Sequence, residues 1–511
     1  MHQTNVWSEL PPRELSDTPS RFGRSIGKYM VVVSEACNDC LKCVAVCPEK
    51  VFEPCGTKLA PPRDHLCLGI ECSKRSDRCI PNCPVNAIRV GFNPSAKALG
   101  DKRWTPDLLM STWYMAETGR LPRNDLEYRI GDSNGGFDKL RFVFPDRPPK
   151  ADLDKNKIDT SIRLNKKKDG RPRIDIPIPL YGGGMSFGSI SQTTMLSRIR
   201  AFGAWGSFTC TGEGGYPEAL YPFDDHIITQ VATGLFGVRE ETIQRVKIVE
   251  FKYAQGAKPG LGGHLLGSKV TEAVARIRET VPGSSLFSPF PFHSVYSVED
   301  HKKHIDWIKA VNTRALVAVK VSTPTDVDMV AVGSYYAGAH IIHLDGSYGG
   351  TGAAPDVAKK NIAMPIEYAI PRVHNFLVEE GIRDEITLIV SGGIRTAFDV
   401  AKSIALGADG VVTGTADLVA LECVRCHNCE SGRGCARGIA TTDLELVGLM
   451  DLAWGTQRMI NMLHCWREQL REILYRLGMS SIKDLVGRTD VLVHLDYSSE
   501  APNDDIRDRV R

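Results

Sequence analysis

The sequence lacks several features that would assign it to large classes of proteins. Its 63 basic and 61 acidic residues leave a formal net charge of only +2, so there is no electrostatic case for nucleic acid as a partner. No apolar run reaches the length of a membrane span, and the N-terminal stretch MHQTNVWSELPPREL has no apolar signal core. We therefore expect no membrane association and a cytoplasmic location. No GxGxxG fingerprint follows a predicted strand, which predicts that NAD(P)H does not bind to this chain.

The fifteen cysteines are clustered rather than spread along the chain. Nine lie between residues 37 and 83, four lie between residues 423 and 435, and Cys210 and Cys465 are isolated. In a large cytosolic chain such clustering indicates metal ligation and not a disulfide framework. The later group has two, two and five residues between successive cysteines, a spacing that lets thiolates reach different corners of an iron–sulfur centre. Its candidate ligands are Cys423, Cys426, Cys429 and Cys435.

Residues 37–48, CNDCLKCVAVCP, follow the C-x2-C-x2-C-x3-C-P pattern of bacterial ferredoxins. In two-cluster ferredoxins the fourth cysteine of such a run ligates the other cluster, and a second run ending in Cys-Pro supplies the partners here. We predict two 4Fe–4S clusters in a two-cluster ferredoxin-like domain over residues 29–95. One set of ligands is Cys37, Cys40, Cys43 and Cys83, and the other is Cys47, Cys67, Cys72 and Cys79. The wider gaps of the second run leave a three-iron cluster open there, and a pair of zinc sites is the alternative for both sets.

From residue 176 onward, short β-branched segments alternate with amphipathic helical ones. Eight such strands predict an α/β fold with a TIM (β/α)8 barrel over residues 176–443. The candidate strands are residues 176–180, 207–210, 248–253, 285–288, 316–321, 340–344, 387–390 and 410–413. Such barrels frequently bind a phosphate in the loops after strands seven and eight. SGGIRT (391–396) and GTAD (414–417) fall there, where glycine N–H groups and a helix N-terminus bind phosphate.

The remaining segments flank the barrel. We expect residues 1–28 to form an arm that lies on another surface, residues 96–175 to form a linker, and residues 444–511 to form C-terminal helices and a tail. The basic run NKKKDGRPR (165–173) predicts a solvated part of the linker, with a docking patch for an acidic partner as the alternative.

Seven motifs of the barrel occur in the order of the synthase domain of glutamate synthase, which the chain resembles. They are MSFGSIS (185–191), TGEGG (211–215), AQGAKPG (254–260), SPFPFHSVYSVED (288–300), GGTGAAP (349–355), SGGIRT (391–396) and CARGIAT (435–441). With the ferredoxin-like segment in front, the chain is similar to the stand-alone, archaeal-type large subunit. The resemblance implies that the barrel binds FMN and reduces 2-iminoglutarate, formed from 2-oxoglutarate and ammonia, to glutamate.

The resemblance also implies roles for individual residues. Lys258 would hold a substrate carboxylate, Gln255 would contact the flavin or a substrate oxygen, and Glu213 would guide ammonia or a proton. Lys320 would stabilise the reduced flavin, while His293 is either a core or a catalytic histidine. The other candidate cofactor-binding residues are Met185, Ser186, Gly188, Gly350, Gly352, Gly392, Gly393, Arg395, Gly414 and Thr415. The alternatives are an ordinary ion pair for Lys320, a solvated loop position for Lys258 and a structural cap for Glu213.

Departures from the family pattern leave other functions open. In the proposed substrate loop, Leu261 replaces an acidic residue and His264 replaces a glutamine. These changes keep N-methylglutamate synthase, whose flavin subunit belongs to the same family and handles methylamine and glutamate, as the alternative. Thr209 and Cys210 stand where the family has an asparagine, and the barrel loop has four cysteines where the bacterial enzyme uses three, so a 3Fe–4S or a 4Fe–4S cluster fits. An electron-relay subunit without catalysis is the remote alternative.

The resemblance further implies partners. The chain begins Met1-His2, without the cysteine nucleophile of class II glutaminases, and no segment resembles the glycine-rich β-helix domain of full-length glutamate synthase. We therefore expect a hetero-oligomer with a separate glutaminase-like amidotransferase subunit and a β-helix subunit. Ferredoxin or a flavin reductase would be the electron donor, and 2-oxoglutarate or glutamate would be the substrate.

Overall fold

The computed structural model describes residues 8–22, 26–69, 72, 78–122, 136–146, 153–288, 292–352, 354–355, 357–359 and 361–495. Eight parallel strands close into a barrel, which confirms the predicted fold class. The strands are β1 Leu180–Gly182, β2 Thr209–Cys210, β3 Ile227–Ala232, β4 Ile248–Lys252, β5 Leu316–Ser322, β6 Ile341–Asp345, β7 Thr387–Ser391 and β8 Gly410–Thr413. Each strand pairs with the next, and β8 pairs with β1 to complete the ring.

One predicted barrel strand is wrong, and one strand of the barrel was not predicted. The third strand of the barrel is Ile227–Ala232, which is buried at every position but contains the polar residues Thr229 and Gln230, so it lacks the purely apolar signal of its neighbours. The predicted strand at 285–288 instead contributes Leu286–Ser288 to an antiparallel pair with Gly263–Leu265, outside the barrel. Both strands of that pair belong to a long excursion between β4 and β5.

The first strand also begins later than expected. Asp175–Ile176 pairs antiparallel with Ile162–Arg163, whereas β1 starts at Leu180. Pro177 and Pro179 lie between these two strands and cannot donate to a sheet, which explains the break.

Helices cover the outside of the barrel, and side-chain caps fix where several of them begin. Thr396 accepts from the Asp399 N–H at 3.2 Å at the start of the helix after β7, and Ser191 caps the helix after β1 in the same way. The barrel helices are Gln192–Ala204, Glu240–Arg245, Val298–Val311, Val327–Tyr336, Ile366–Glu379, Ala397–Ala405 and Thr415–Ala420, with Glu272–Arg278 in the excursion. Short 3-10 turns are Asp64–Leu66, Pro94–Ala98, Gly136–Lys139, Lys155–Lys157, Glu218–His226, Gly267–Lys269, Arg383–Glu385, Ile482–Leu485 and Thr489–Val491.

The helix Leu452–Arg476, here called the C-terminal helix, packs against the helix Gln192–Ala204 and follows the short helix Leu444–Val447. The arm residues 8–22 lie along it: Arg458 donates to the Thr18 carbonyl at 2.8 Å, and Asn461 donates to the Ser16 carbonyl at 2.8 Å. No helix in the described part of the chain is long and apolar enough to cross a membrane.

The N-terminal domain has a small apolar core of its own. Tyr29–Val33 pairs antiparallel with Ile88–Phe92, and the other elements are the helices Lys42–Val46 and Cys79–Asn82 and the hairpin Pro54–Cys55 with Lys58–Leu59. Glu117, on the helix Pro106–Thr118, connects this domain to the barrel because it binds His65 at 2.7 Å and also pairs with Arg63. That helix in turn packs on the C-terminal helix.

The segment predicted as a linker is packed. Leu140–Phe142 pairs with Leu492–His494, and the helix Pro106–Thr118 is largely buried. In the basic run, Lys166 pairs with Asp409 at 2.7 Å and Asn165 is fully buried. The prediction of a solvated run therefore holds only for its exposed residues Lys168, Asp169, Gly170 and Arg173. Lys166 neutralises a barrel carboxylate, while Lys167 and Arg171 donate to the carbonyls of Tyr335 and Ala315.

Candidate active site

Loops that follow β6, β7 and β8 surround one cavity, here called the anion cavity. Five of the predicted cofactor-binding residues line it: Gly350, Gly392, Gly393, Arg395 and Thr415. A Cβ atom on Gly350 would overlap the Thr415 hydroxyl, and one on Gly392, at φ +98°, would overlap the Gly346 backbone. Glycine is therefore required where the backbone approaches this space.

Two further predicted glycines, Gly414 and Gly352, lie beside the cavity. Gly414 immediately precedes the helix Thr415–Ala420. A Cβ on Gly352 would lie 3.3 Å from Cβ of Cys429, so the Gly-rich loop after β6 contacts the cysteine loop directly.

Arg395 lines the cavity, but its guanidinium is not free to bind a phosphate. Its guanidinium donates to Asp138 at 2.6 Å and to Asp399 at 3.1 Å, and all three side chains are buried. Arg395 is thus already paired with two carboxylates, and it fixes the turn Gly136–Lys139 against the barrel. Arg103 and Arg425 supply further guanidinium groups to the same cavity.

A polar network fills the C-terminal end of the barrel interior. Lys320 on β5 pairs with Asp345 on β6 at 3.3 Å, and Asp345 also accepts from Ser391 at 2.6 Å and from the Gly256 N–H at 3.0 Å. Burial disfavours the charged form of both side chains, but the attraction between the two opposite charges is stronger. The pKa of Asp345 is therefore lowered and that of Lys320 is raised. The ion pair therefore keeps Lys320 positively charged at the end of an apolar strand.

A second buried carboxylate lies beside this pair. Glu250 on β4 accepts from Gln230 at 2.6 Å and lies 2.8 Å from Nδ1 of His343. Nε2 of His343 lies 2.8 Å from the Ser391 hydroxyl, which joins the two halves of the network. Burial raises the pKa of Glu250, but its basic partners outweigh that effect and the net shift is downward.

Glu213 and Gln255 line a smaller cavity, here called the substrate cup, at the mouth of β3 and β4. Glu213 pairs with Lys252 at 3.2 Å, and a Cβ on Gly263 would overlap the Glu213 carboxylate. Lys258 lies in the same loop as Gln255 and is only 5% exposed; it does not itself line the cup.

Lys258 is a buried cation without a fixed partner. Its ammonium has no hydrogen bond or ion pair with any residue that the structure describes, although Glu213 and Glu430 are close enough to act on it electrostatically. Burial, followed by the nearby charge of Lys252, lowers the pKa of Lys258 to about 8. Such a site favours an incoming anion, because an anion would replace the water that the ammonium has lost.

The loop after β1 lies next to the substrate cup. Arg278 donates to the Ser186 hydroxyl at 2.8 Å and to the Phe187 carbonyl at 3.0 Å. A Cβ on Gly212 would contact the backbone of Met185 and Ser186, so TGEGG packs directly on this loop. Gly188, at φ +95°, gives the loop its turn.

The substituted residues of the substrate loop point elsewhere. Leu261 is 47% exposed, and the ring of His264 stacks on Phe287 with centroids 4.6 Å apart. Neither side chain lines the substrate cup. His293 is exposed, which excludes the core alternative for this histidine, and its catalytic role stays a prediction.

The eight N-terminal cysteines surround two separate cavities. Cys37, Cys40, Cys43 and Cys83 line one, and Cys47, Cys67, Cys72 and Cys79 line the other. Burial, followed by neighbouring cysteines, raises the pKa of Cys79 to about 11. Cys55 is exposed and lines neither cavity.

Within the described ranges, no three His, Cys, Asp or Glu side chains converge on a point where a single metal ion would bind. The ligands of an iron–sulfur cube lie farther apart, because each binds a different iron.

The cysteine loop after β8 contacts the glycine-rich loop after β6 on one side and the excursion between β4 and β5 on the other. Its four thiols act on one another electrostatically: Cys423 with Cys429 and Cys435, and Cys429 with Cys426 and Cys435. Lys269 donates to the Cys429 carbonyl at 2.6 Å and to Glu430 at 3.0 Å, which ties the loop to the excursion.

Several site residues were missed in the sequence. Glu250 and Lys252 are two positions apart on the buried strand β4, a placement that puts both charges on one face and would have indicated a polar interior. Arg103 and Asp138 come from the segment predicted as a linker and have no local signal.

Known proteins with similar sequences cover most of the chain. The profile of a family described as "Conserved region in glutamate synthase" matches residues 136–480. An archaeal-type glutamate synthase (NADPH) of Dehalococcoides mccartyi is 36% identical over 83% of this chain and 86% of its own length, and that of Thermotoga maritima is 37% identical over 89% and 92%. An archaeal glutamate synthase (NADPH) of Methanocaldococcus jannaschii is 44% identical over 63% of both chains. On these grounds the chain belongs to the glutamate synthase family.

Proposed function

We propose that this chain is the catalytic subunit of a glutamate synthase and reduces 2-iminoglutarate, formed from 2-oxoglutarate and ammonia, to glutamate. The observation that carries the proposal is Lys258: a buried ammonium without a fixed partner, beside the Glu213–Lys252 pair. A dicarboxylate substrate supplies the anion that this site lacks. Relatives over most of the chain are named glutamate synthases, which supports the same assignment.

The anion cavity fits FMN. Its glycines leave the space that the phosphate of a flavin would take, and its lining provides backbone N–H groups and guanidinium groups. Residues for the phosphate end are Gly350, Gly392, Gly393 and Thr415, with Gly352, Arg395 and Gly414 holding the surrounding loops. When bound, FMN would supply the hydride for the reduction of the imine.

Four side chains of the barrel have separate roles in the rest of the reaction. Lys258 holds a substrate carboxylate, and Gln255 in the same loop orients a substrate oxygen. Glu213, paired with Lys252 at 3.2 Å, guides ammonia or a proton toward the imine. Lys320, held charged by Asp345, stabilises negative charge on the cofactor side.

The first loop of the barrel completes the flavin site. Met185, Ser186 and Gly188 would contact the ring, and Arg278 holds their loop in place through Ser186. TGEGG packs on this loop, so the flavin side and the substrate side share one wall.

The cysteines fit a chain of iron–sulfur clusters. The two N-terminal cavities, each lined by four thiols, fit two 4Fe–4S clusters with the ligand sets predicted from the ferredoxin pattern. In the barrel loop Cys423, Cys426, Cys429 and Cys435 lie close enough to act on one another electrostatically, which fits a 4Fe–4S or a 3Fe–4S cluster. Electrons would enter the chain at the N-terminal clusters and would reach the flavin through the cluster of the barrel loop.

The partners follow from the reaction. We propose a cytoplasmic hetero-oligomer in which a glutaminase-like amidotransferase subunit supplies ammonia and a glycine-rich β-helix subunit completes the assembly. Ferredoxin or a flavin reductase would supply electrons.

The geometry of the substrate cup gives no support to the alternative, N-methylglutamate synthase. It was motivated by Leu261 and His264, and both side chains lie away from the substrate cup. The experiment is an anaerobic assay of the purified protein with reduced ferredoxin. Glutamate from 2-oxoglutarate and ammonium supports the proposal, whereas N-methylglutamate from glutamate and methylamine, without glutamate synthesis, overturns it.

A further inference from the structure

Arg425 belongs to two parts of the molecule at once. It lies between Cys423 and Cys426 in the cysteine loop, and its side chain lines the anion cavity about the loops of β7 and β8. Its backbone has φ +60°, a conformation that non-glycine residues seldom adopt and that the surroundings must hold in place.

Asp101 provides that hold. Its Oδ2 accepts from Nε and Nη2 of Arg425 at 3.2 and 2.9 Å, and Nε2 of His427 lies 3.3 Å from the same oxygen. Both Asp101 and Arg425 have side chains only 19% exposed. Two hydrogen bonds from one planar guanidinium to the same oxygen fix the orientation of the Arg425 side chain as well as its distance from Asp101.

The other oxygen of Asp101 fixes the cavity wall. Oδ1 accepts from the N–H groups of Arg103 and Trp104 at 2.8 and 2.9 Å, and both of those side chains line the anion cavity. Gly100, at φ +77°, closes the turn, because a Cβ there would overlap the Trp104 carbonyl. One carboxylate thus joins the wall of the cavity to the cysteine loop.

Three guanidinium groups line the cavity, and Arg103 lies over the ring of Tyr348, 3.0 Å from its centroid. Arg395 is paired with Asp138 and Asp399, and a further carboxylate in the lining, Glu367, accepts from the Gly136 N–H at 2.6 Å. Among the residues that the structure describes, Arg425 pairs with the single carboxylate Asp101, which it shares with His427. It therefore retains capacity for another anion in the cavity.

We propose that the Asp101–Arg425 pair couples the two cofactor sites: Arg425 binds the phosphate end of the flavin and, as a positioning residue, holds the cysteine loop in the shape that ligates its cluster. The inference rests on the proposed function, since it needs both groups. Linkage makes the effect reciprocal, so a formed loop cluster strengthens flavin binding and bound flavin stabilises the cluster.

A mutant cycle on the holoprotein tests the coupling. The Kd for FMN is measured from the fluorescence of flavin released on dilution, for the wild type, Cys426→Ala, Arg425→Gln and the double variant. Cys426→Ala removes the loop cluster and is expected to weaken FMN binding about 5- to 150-fold, the usual range for coupled sites. Arg425→Gln is expected to weaken it by about 10- to 100-fold, as for loss of a charged hydrogen bond. The double variant should be no weaker than the weaker single variant, and additive effects would overturn the proposal.

Two further variants separate this role from folding and from bulk charge. Asp101→Asn keeps the Arg425 charge but releases its pair of hydrogen bonds, and it should reduce both flavin affinity and loop-cluster EPR intensity. Arg437→Gln is the matched control: Arg437 is also two residues from a loop cysteine but lines a different cavity, so FMN affinity should stay within about twofold of the wild type. A wild type that binds no flavin refutes the proposed function, whereas flavin binding that is equally weakened by Arg437→Gln refutes only the coupling.

Discussion

Replacing Lys258 with methionine removes the charge of a buried ammonium while keeping a chain of similar length. In the wild type, the ordinary lysine pKa of 10.5 is lowered to about 8, chiefly by burial. That difference corresponds to about 3 kcal/mol by which the charged form is disfavoured in the substrate-free protein. We therefore expect Lys258→Met to stabilise the substrate-free protein while it damages catalysis.

The sign of the pH dependence follows from the same value. Between pH 8 and 10.5 the unfolded chain holds a proton at this position and the folded chain has released it. Wild-type stability therefore gains up to about 3 kcal/mol as pH rises through this window, and the variant gains nothing from this group. The excess Tm of Lys258→Met should be largest at pH 7 and should shrink by pH 9.5.

Catalysis should move in the opposite direction. Loss of a charged hydrogen bond to a substrate carboxylate is worth about 1.5–3 kcal/mol, or about 10- to 150-fold in KM for 2-oxoglutarate. Flavin and iron content should equal those of the wild type, and 2-oxoglutarate should raise the Tm of the wild type only. Loss of flavin from Lys258→Met, or an unchanged KM, would refute the reasoning.

Three other substitutions test separate parts of the structure. Cys67→Ser should remove the iron of one N-terminal cluster from metal analysis and EPR spectra, while Cys55→Ser, at the exposed cysteine, should leave both unchanged; equal losses would contradict the grouping. Gly263→Ala should displace the carboxylate that its Cβ would overlap, lowering kcat at least about tenfold with flavin retained, and wild-type turnover would count against that role. Arg198→Met should cost about 3–5 kcal/mol of stability in urea unfolding, because Asp417, 3.0 Å away, would stay buried without its partner; a change under about 1 kcal/mol would argue against it.

The barrel was predictable because the alternation of its strands and helices can be recognised in short stretches of sequence. Short β-branched strands and the glycine-rich turns that follow β7 and β8 are readable from neighbouring residues, and they gave the fold class and five residues of the anion cavity. The strand Ile227–Ala232 was missed because two of its buried residues, Thr229 and Gln230, are polar; Gln230 donates to Glu250 inside the barrel, and a polar interior is a feature of the site rather than of the fold.

The partners of the predicted residues were not readable in the same way. The cation at Lys320 was identified, but its carboxylate, Asp345, lies on the neighbouring strand and depends on barrel register. Asp138 and Asp101 reach the anion cavity from a segment with no regular pattern, so only the folded chain brings them to Arg395 and Arg425.

The measurement that tests the account most directly is a single turnover without an external donor. The purified protein is reduced anaerobically, its flavin and iron–sulfur absorption is recorded, and 2-oxoglutarate and ammonium are added together. We expect both absorption bands to return to the oxidised form with one glutamate formed for every two electrons released. A protein that contains no flavin, or one that reoxidises under these conditions without forming glutamate, would contradict the account.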